Sequence, residues 1–348
     1  MTIKDVAKHS GYAVGTVSRV LNDHPDVSEE ARSRILTVVD ELGFKPNNNA
    51  RHLKQREGSG FSIIVKGAHN LLFASIVEEM QSRIKDEGRS VTVHYLDEND
   101  DEVNQAVQVY REQKPLGMLF LGGNRDNFSQ NFKKITCPCV LVTNRADTLG
   151  FPNLSSVFTD DVEGAAQAMG MLLDAGHCRV GIIGGENYQV DSKLDYNTSQ
   201  QRFIGCRQAF IQRGLDFQPE HQLIVSRYSM EGGYEAAGIL LDQFPNMTAI
   251  FAMSDVMAIG ALRAIRDRGL QVPEDISLMG YDGIEQADFC VPRLSTIQQN
   301  VEQLARRGVD ILLNQTDDRQ SKDGQTVHEI IPFQIIHGES IRVIGEKI

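Results

Sequence analysis

The chain has 348 residues, of which 41% are hydrophobic, 7% aromatic and 24% charged. This composition is typical of a globular protein, and the length exceeds what a single hydrophobic core supports, so we expect two or three domains. No apolar run approaches the roughly 18 residues of a membrane span, and the N-terminus lacks the apolar centre of a signal peptide. We therefore expect a cytoplasmic protein with no membrane partner.

The net charge of -12 is distributed unevenly along the chain. Residues 1–58 contain 9 basic and 8 acidic side chains, whereas the remainder contains 26 basic and 39 acidic side chains. Residues 44–56 carry Lys45, Arg51, Lys54 and Arg56 without any acid. The N-terminal region is therefore the one candidate surface for a polyanion, and the acidic remainder disfavours non-specific DNA contact.

The first two predicted elements are short helices joined by a glycine turn. Ile3, Val6 and Ala7 form one apolar helical face that ends before Gly11. A second apolar face begins shortly after it and comprises Val14, Val17, Val20 and Leu21. Two helices joined by a short turn with a central glycine form a helix-turn-helix, although a helical hairpin that caps a larger domain has the same pattern.

A third helix is predicted after Ser28, which has the residue type of an N-cap. Glu29 and Glu30 complement the positive end of the helix dipole, and Gly43 ends the helix. The inward-facing positions are Ile35, Leu36, Val39 and Leu42.

After residue 60, short apolar runs alternate with segments of helical length, which predicts βαβ units and parallel sheets. The predicted strands are Ser62–Val65, Val91–Tyr95, Met118–Leu121, Val140–Val142, Val180–Ile183, Leu223–Val225, Ile250–Ala252 and Ile276–Met279. This number of strands favours two α/β lobes over one sheet. Ligands in such folds bind beyond the carboxyl ends of the strands, here in a cleft between the lobes.

The sequence contains no motif that specifies a cofactor or a metal. It lacks a P-loop, a G-x-G-x-x-G fingerprint and a G-x-S-x-G elbow, and the pair Gly184-Gly185 is more typical of a tight turn than of a phosphate site. The five cysteines are scattered, and Cys137-Pro138-Cys139 precedes an apolar run, which favours a buried strand entry over a metal site. We expect reduced thiols, no metal and no cofactor.

Several motifs resemble the lactose-repressor (LacI/GalR) family of bacterial transcription regulators. The head carries TIKDVA (2–7), TVSRVLN (16–22) and LGFKPN (42–47). The remainder carries Gln201-Arg202 with Gly205, SDVMA (254–258), VPEDIS (272–277) and GYD (280–282), in the order of that family. The resemblance covers nearly the whole chain. It implies an all-α helix-turn-helix head followed by a two-lobed periplasmic-binding-protein-like (type I) core with parallel sheets flanked by helices.

The resemblance also implies a transcriptional regulator, most often a repressor, whose second helix reads the major groove of a pseudo-palindromic operator in double-stranded DNA. The base-reading positions correspond to Val14, Gly15, Thr16 and Arg19. Arg19 can donate two hydrogen bonds to a guanine, a contact worth ~1–3 kcal/mol of discrimination. Thr2 and Ser18 correspond to phosphate-contacting positions. Ala13 replaces the serine that usually caps this helix in the family, which removes ~0.5–2 kcal/mol of capping.

Residues 46–59 resemble the family's hinge, which contacts DNA when two chains meet on an operator. The matching positions are Asn47, Ala50 and Leu53, and the resemblance implies that Leu53 wedges into the minor groove. A plain tether is the alternative. The implied division is a head at 1–45, a hinge at 46–59 and a core at 60–348. Within the core, the first lobe is expected at about 60–156 plus 287–316 and the second at about 157–286 plus 317–348.

The resemblance places a small-molecule effector, a sugar or a similar polar metabolite, between the lobes. The matching lining positions are Leu72, Phe73, Thr143, Asp160, Arg202, Ser254, Tyr281 and Asp282. A guanidinium and a carboxylate facing one pocket suit vicinal hydroxyls or a polar ring. Other roles stay open: Arg202 could pair with an acid on a neighbouring helix, Asp255 is more typical of an N-cap than of a ligand contact, and Asp282 could brace the lobe crossover.

A homodimer is expected because two half-sites about one helical turn apart, ~34 Å, require two heads. The tail at 339–348 has no heptad pattern, which favours a dimer over a tail-bundled tetramer. The rival hypotheses are a binding protein without a regulatory role and an enzyme that uses the same cleft. We expect no enzyme, since no spacing specifies a nucleophile–base pair. The sequence leaves induction and corepression equally open.

Overall fold

The computed structural model describes residues 3–21, 27–42, 60–67, 70–185, 197–317 and 326–345. The chain divides into two compact units, Met1–Glu57 and Gly58–Ile348. Within the described residues, no helix is both long and apolar enough to span a membrane.

The N-terminal unit contains three helices, α1 (Ile3–Ser10), α2 (Val14–Leu21) and α3 (Glu29–Glu41). Gly11 supplies the turn between the first two, because its φ of 79° is a left-handed conformation that glycine adopts without strain. The helices enclose a small apolar core of Val6, Ala7, Val17, Val20, Ile35 and Val38. Leu36, which was expected to face inward, is instead 44% exposed, and Val38 takes the core position on α3.

The starts of α2 and α3 differ in the way they are capped. Ser28 accepts a hydrogen bond from the amide of Ala31 at 3.4 Å. Ala13, just before α2, accepts bonds from the amides of Thr16 and Val17 only through its backbone carbonyl. The start of α2 therefore lacks the side-chain cap that stabilises α3.

The second unit contains two sheets of six strands each. The strands are β1 (Gly60–Lys66), β2 (Ser90–Leu96), β3 (Gly117–Leu121), β4 (Cys139–Val142), β5 (Leu154–Phe158), β6 (Val180–Gly184), β7 (Leu223–Val225), β8 (Ala249–Ala252), β9 (Ser277–Asp282), β10 (Ser295–Gln298), β11 (His328–Ile330) and β12 (Gln334–Ile336). The first sheet has the order β11-β5-β4-β3-β1-β2, and all its pairs are parallel. The second has the order β12-β10-β9-β8-β6-β7, and only β12 is antiparallel.

Helices connect the strands of both sheets. They are α4 (Leu71–Asp86), α5 (Glu102–Gln113), α6 (Arg125–Asn131), α7 (Asp161–Asp174), α8 (Thr198–Gln212), α9 (Pro219–Gln222), α10 (Met230–Gln243), α11 (Asp255–Asp267), α12 (Glu285–Asp288) and α13 (Val301–Thr316), with a 3-10 turn at Phe132–Lys134. Several strands, including β3 and β9, are buried along their whole length. Burial on both faces produces the continuous apolar runs from which eight of these twelve strands were predicted, whereas β5, β10, β11 and β12 were not predicted.

The lobe boundaries predicted after residue 286 are wrong in two places. The segment 287–316 contains both β10, which pairs with β9 in the second sheet, and α13, which packs on β3, β4 and β5 of the first. The segment 317–348 contains β11, which pairs with β5 in the first sheet. The chain therefore passes between the lobes three times: after β5, after β10 and after β11. Neither β10 (STIQ) nor β11 (HEI) was predicted as a strand, because neither segment is a continuous apolar run.

The α7–α8 contact in the second lobe depends on a glycine. A Cβ on Gly205 would overlap the carbonyl oxygen of Val162 and lie 2.8 Å from the amide nitrogen of Ala166. Because both obstacles are backbone atoms, neither can move without moving α7. The contact therefore requires glycine at this position of α8.

We expect Gly205→Ala to lower the free energy of unfolding by about 1–3 kcal/mol, because the added methyl group forces the helices apart. Gly170→Ala in α7 is the matched control. Its Cβ would meet only the flexible end of Arg213, and alanine favours the helix by up to about 1 kcal/mol. Urea unfolding of both variants measures the difference. Equal stability of the two would contradict the close backbone contact.

Candidate ligand cleft and nucleic-acid interface

A cavity of about 500 Å³ lies between the two lobes, at the carboxyl ends of their parallel strands. The first lobe contributes the ends of β1, β3 and β4, and the second contributes the start of α8 and the segment after β7. Amide, hydroxyl and charged side chains dominate the lining, together with the rings of Phe73 and Tyr228. The cavity therefore has the size and mixed lining of a small-molecule site.

Arg202, on α8, is the central charged group of the second-lobe wall. Its side chain is 4% exposed. Its Nε donates to Asp161 at 2.8 Å and its Nη2 donates to Asp282 at 3.3 Å. Its Nη1 donates to the carbonyl of Met253, and its guanidinium carbon lies 3.7 Å from the centre of the Tyr281 ring. One side chain thus joins α7, the end of β8 and the end of β9.

The ionisation of this cluster reflects burial opposed by charge pairing. Burial would lower the pKa of Arg202, but the carboxylates of Asp161 and Asp282 outweigh it and raise that pKa, so Arg202 stays charged. Burial raises the pKa of Asp282 to about 6, although Arg202 and Gln299 act in the opposite direction. Burial also raises the pKa of Asp161 against the effect of Arg202.

Two residues that border the cavity have unusual backbone conformations. Thr143 has a φ of 76° just after β4, and Asp282 has a φ of 113° at the end of β9. Positive φ is rare for a β-branched residue such as threonine, and outliers of this kind cluster at functional sites. Backbone hydrogen bonds hold both in place. The backbone amide of Thr143 donates to the carbonyl of Val157 at 2.9 Å, and the backbone amide of Gln299 donates to the backbone carbonyl of Asp282 at 3.0 Å.

Asp282 also connects the cavity to a lobe crossover. The side-chain amide of Gln299 donates to the Asp282 carboxylate at 2.8 Å, and Gln299 lies between β10 and α13. Asp282 therefore lines the cavity and braces the crossover at the same time. Both roles foreseen for this residue from the sequence are geometrically compatible.

Asp255 does not act as an N-cap, contrary to the sequence-based interpretation. It is the first residue of α11 and is fully buried. Its carboxylate accepts from the amides of Gly283 and Ile284 at 2.6 and 2.9 Å and from the Thr296 hydroxyl at 2.6 Å. Ser254 is the N-cap instead. Asp255 thus holds the loop that follows Asp282.

The structure brings together five of the eight residues predicted to line the cleft: Leu72, Phe73, Thr143, Arg202 and Asp282. The other three are not part of the lining. Asp160 and Ser254 accept hydrogen bonds from Glu163 and Met257 as helix N-caps. Tyr281 is fully buried beneath the Arg202 guanidinium, so it supports the wall without forming it. The binding role of the five stays a prediction.

Sequence reasoning missed much of the lining. The missed residues include Lys66, Asn70, Asn124, Asn144, Ser199, Tyr228 and Gln299. Several of them end a strand or closely follow one. The rule that ligands bind beyond the carboxyl ends of parallel strands would have identified these as candidates.

Two polar contacts at the cavity join the lobes directly. The side-chain amide of Asn144 donates to the Thr198 hydroxyl at 3.2 Å. Arg227 Nε lies 3.1 Å from an oxygen of Glu98 in an ion pair. All four residues line the cavity, so a bound molecule would lie beside both contacts.

The N-terminal unit presents one face of α2 to solvent. Val14 is 41% exposed, Gly15 and Arg19 are also exposed, and Thr16 is half-buried, whereas Val17 packs in the core. The predicted base-reading residues therefore share an accessible face. Thr2, Asn47, Ala50 and Leu53, with the rest of the hinge, lie outside the described residues, as does the side chain of Ser18.

Comparisons with known proteins agree with these features. Residues 2–47 match the family model for bacterial regulatory proteins of the lacI family, and residues 169–341 match the periplasmic binding protein-like domain. The regulator MalR of Clostridium butyricum is 31% identical over 98% of this chain and 99% of its own length. The ribose operon repressor of Haemophilus influenzae is 30% identical over 90% of this chain and 91% of its own.

Solved structures show the same fold. A complex of the transcriptional regulator CelR with cellobiose has a TM-score of 0.70 at 26% identity and covers 98% of this chain and 99% of its own. The lac repressor dimer bound to operator has a TM-score of 0.76 at 23% identity with the same coverage. The predicted helix-turn-helix head and two-lobed α/β core are thereby confirmed. The chain belongs to the lacI family of bacterial regulatory proteins.

We expect Arg202→Met to lower the free energy of unfolding by about 3–5 kcal/mol, because it leaves two buried carboxylates without their cation. Arg213→Met is the matched control. Arg213 pairs with Asp174 on the surface, where their side chains are 29% and 69% exposed, and its loss should cost less than about 1 kcal/mol. Denaturant unfolding at neutral pH compares the two. A control as damaging as Arg202→Met would refute the central position of the buried cluster.

The pKa of Asp282 predicts a dependence of stability on pH. Its folded pKa of about 6 exceeds the unfolded value of about 3.9, so the folded state binds more protons between these values. The stabilisation is fully present below the unfolded pKa and is lost as pH rises through about 6. Unfolding measured from about pH 4 to 7 should therefore show a steeper loss of stability in the wild type than in Asp282→Asn. Parallel curves would rule out this titration.

Proposed function

We propose that this lacI-family protein is a sequence-specific DNA-binding transcriptional repressor whose operator affinity changes when a small polar molecule binds between its core lobes. The observation that carries the proposal is the exposed face of α2, where Arg19 projects from a helix that packs through Val17 and Val20. A helix presented in this way fits the major groove. The relatives named above are regulators, so we propose no catalytic activity.

In the proposed complex, Arg19 donates to a guanine and Thr16 contacts a neighbouring base edge. Val14 offers only apolar contact and Gly15 has no side chain, so base reading at the start of α2 is sparse. Thr2 and Ser18 contact phosphates, which fix the register without reading sequence. Because Ala13 provides no side-chain cap, the start of α2 depends more on contact with DNA for its order.

The proposed assembly is a homodimer on a pseudo-palindromic operator. Two heads are needed to contact half-sites about 34 Å apart. In this proposal residues 1–45 are the head, residues 46–59 the hinge and residues 60–348 the core. Within the hinge, Asn47 and Ala50 contact DNA, and Leu53 enters the minor groove at the central step. The lac repressor structure is a dimer on its operator, which supports this arrangement. Such a regulator acts in the cytoplasm, where bacterial DNA lies.

The proposed effector is a sugar or a sugar-like metabolite in the cleft. Arg202, Asp282, Thr143, Phe73 and Leu72 are the proposed contacts. The solved structure of CelR in complex with cellobiose supports this ligand class. A ligand changes operator affinity only if it binds two lobe arrangements unequally. The contacts Asn144–Thr198 and Glu98–Arg227 join the lobes beside the cavity, so a ligand there can favour one arrangement.

Selection of bound sequences from a randomised duplex library by the full-length protein tests the proposal. The expected result is an enriched palindrome with a flexible central step. Arg19→Ala should relax the preference at one base pair per half-site and weaken specific binding by about 1–3 kcal/mol. Arg34→Ala, which removes an exposed arginine from α3, is the matched control and should leave the selected sequence unchanged. Absence of enrichment, with and without added sugars, would refute sequence-specific binding.

A further inference from the structure

The described part of the cleft lining contains three cationic side chains, and each already pairs with a carboxylate of the protein. Lys66 Nζ lies 2.7 Å from Glu102, and these side chains are 14% and 0% exposed. Arg202 pairs with two buried carboxylates, as described above, and Arg227 pairs with Glu98 across the lobes. None of these three cations therefore offers a ligand an uncompensated positive charge.

Among the described residues, carboxylates outnumber cations around the cavity. Four of them are in the lining, Asp97, Glu98, Glu231 and Asp282, and two more, Glu102 and Asp161, lie directly behind Lys66 and Arg202. In the part of the chain that the structure describes, the lining and the layer directly behind it thus carry six carboxylates and three cations. The field inside the cleft is therefore negative wherever these acids are ionised, and the low dielectric of a partly enclosed site strengthens it.

The Lys66–Glu102 pair cannot readily be redirected toward a ligand. Lys66 Nζ also donates to the carbonyl of Asp100 at 2.6 Å. The Glu102 carboxylate accepts a hydrogen bond from the backbone amide of Asn124 at 2.6 Å and another from the side-chain amide of Asn127 at 2.9 Å. Breaking the ion pair to bind an outside anion would leave the fully buried Glu102 without its cation, which is costly.

The rest of the lining suits an uncharged ring that carries hydroxyl groups. Phe73 and Tyr228 stand on opposite lobes, and each lies against a glycine where a Cβ would meet its ring, Gly122 and Gly185. Such rings can cover the apolar faces of a sugar. Carboxylate and amide oxygens accept hydrogen bonds from hydroxyl groups, and a carboxylate acceptor makes the stronger bond.

We propose that the effector is an uncharged polyhydroxylated molecule, a mono- or oligosaccharide without phosphate or carboxylate, and that the cleft selects against anionic sugars. This proposal rests on the proposed function and specifies its ligand. A phosphate group would bring up to two negative charges into a cleft whose described cations, Lys66, Arg202 and Arg227, are already paired with carboxylates. Like-charge contacts of this kind disfavour binding.

The test is a binding panel on the full-length protein, measured by thermal shift and titration calorimetry. The uncharged probes are glucose, maltose, cellobiose and ribose. The anionic probes are glucose 6-phosphate, ribose 5-phosphate and glucuronate, and hypoxanthine represents a planar base. At least one uncharged sugar should bind and alter operator affinity, and its anionic counterpart should bind at least about 100-fold more weakly. Preferred binding of an anion or of hypoxanthine overturns the proposal, as does a panel in which no uncharged sugar binds.

A lining variant tests whether the carboxylates cause the discrimination. Glu98→Gln releases the charge of Arg227, so the penalty against the phosphorylated sugar should fall by about 10-fold or more. Glu302→Gln removes the same charge from the exposed first turn of α13, outside the lining, and should leave the penalty unchanged. If both variants lowered the penalty equally, the discrimination would come from the net charge of the protein, and the proposed role of the lining carboxylates would be wrong.

Operator binding without ligand, measured in parallel, separates the two proposals. Loss of sequence-specific DNA binding would refute the proposed function whatever the panel shows. Intact operator binding together with a preference for an anion would refute the ligand class alone.

Discussion

The structure of the second lobe depends on the burial of one guanidinium. Arg202 carries a full charge into the interior, where it is stable only because Asp161, Asp282 and the Met253 carbonyl accept its hydrogen bonds. Tyr281 covers its inner face. Because these partners come from α7, the end of β8 and the end of β9, the requirement to satisfy one charge fixes the relative positions of three elements.

The same cluster links the cavity wall to the segments that join the lobes. The backbone carbonyl of Asp282 accepts a hydrogen bond from the backbone amide of Gln299, and its carboxylate accepts one from the side-chain amide of Gln299. Gln299 lies at the crossover between β10 and α13. Asp255 holds the following loop through Gly283 and Ile284. A ligand that contacts Arg202 or Asp282 therefore contacts groups already coupled to a crossover. In the proposed mechanism, these contacts couple occupancy of the cleft to the lobe arrangement.

The N-terminal region and the rest of the chain differ in the sign of their net charge. The N-terminal residues 1–58 have a slight excess of basic side chains, whereas the remainder is strongly acidic. An acidic core reduces non-specific attraction to DNA, so affinity depends on the head. Within the cleft, the same excess of carboxylates neutralises Lys66, Arg202 and Arg227 and leaves a lining suited to hydroxyl groups. The acidic composition thus bears on both proposed kinds of recognition.

The sequence by itself determined much of the local structure: the turn at Gly11, the helical faces around Val17, and eight of the described strands. These follow from spacing along the chain, because helices and strands have fixed periods. Only the tertiary structure decided the positions of β10 and β11, the burial of Tyr281 under Arg202 and the pairing of Lys66 with Glu102. Pairing partners and sheet edges are set by contacts between residues distant in the chain. Hydrophobic periodicity contains no information about which distant segments meet.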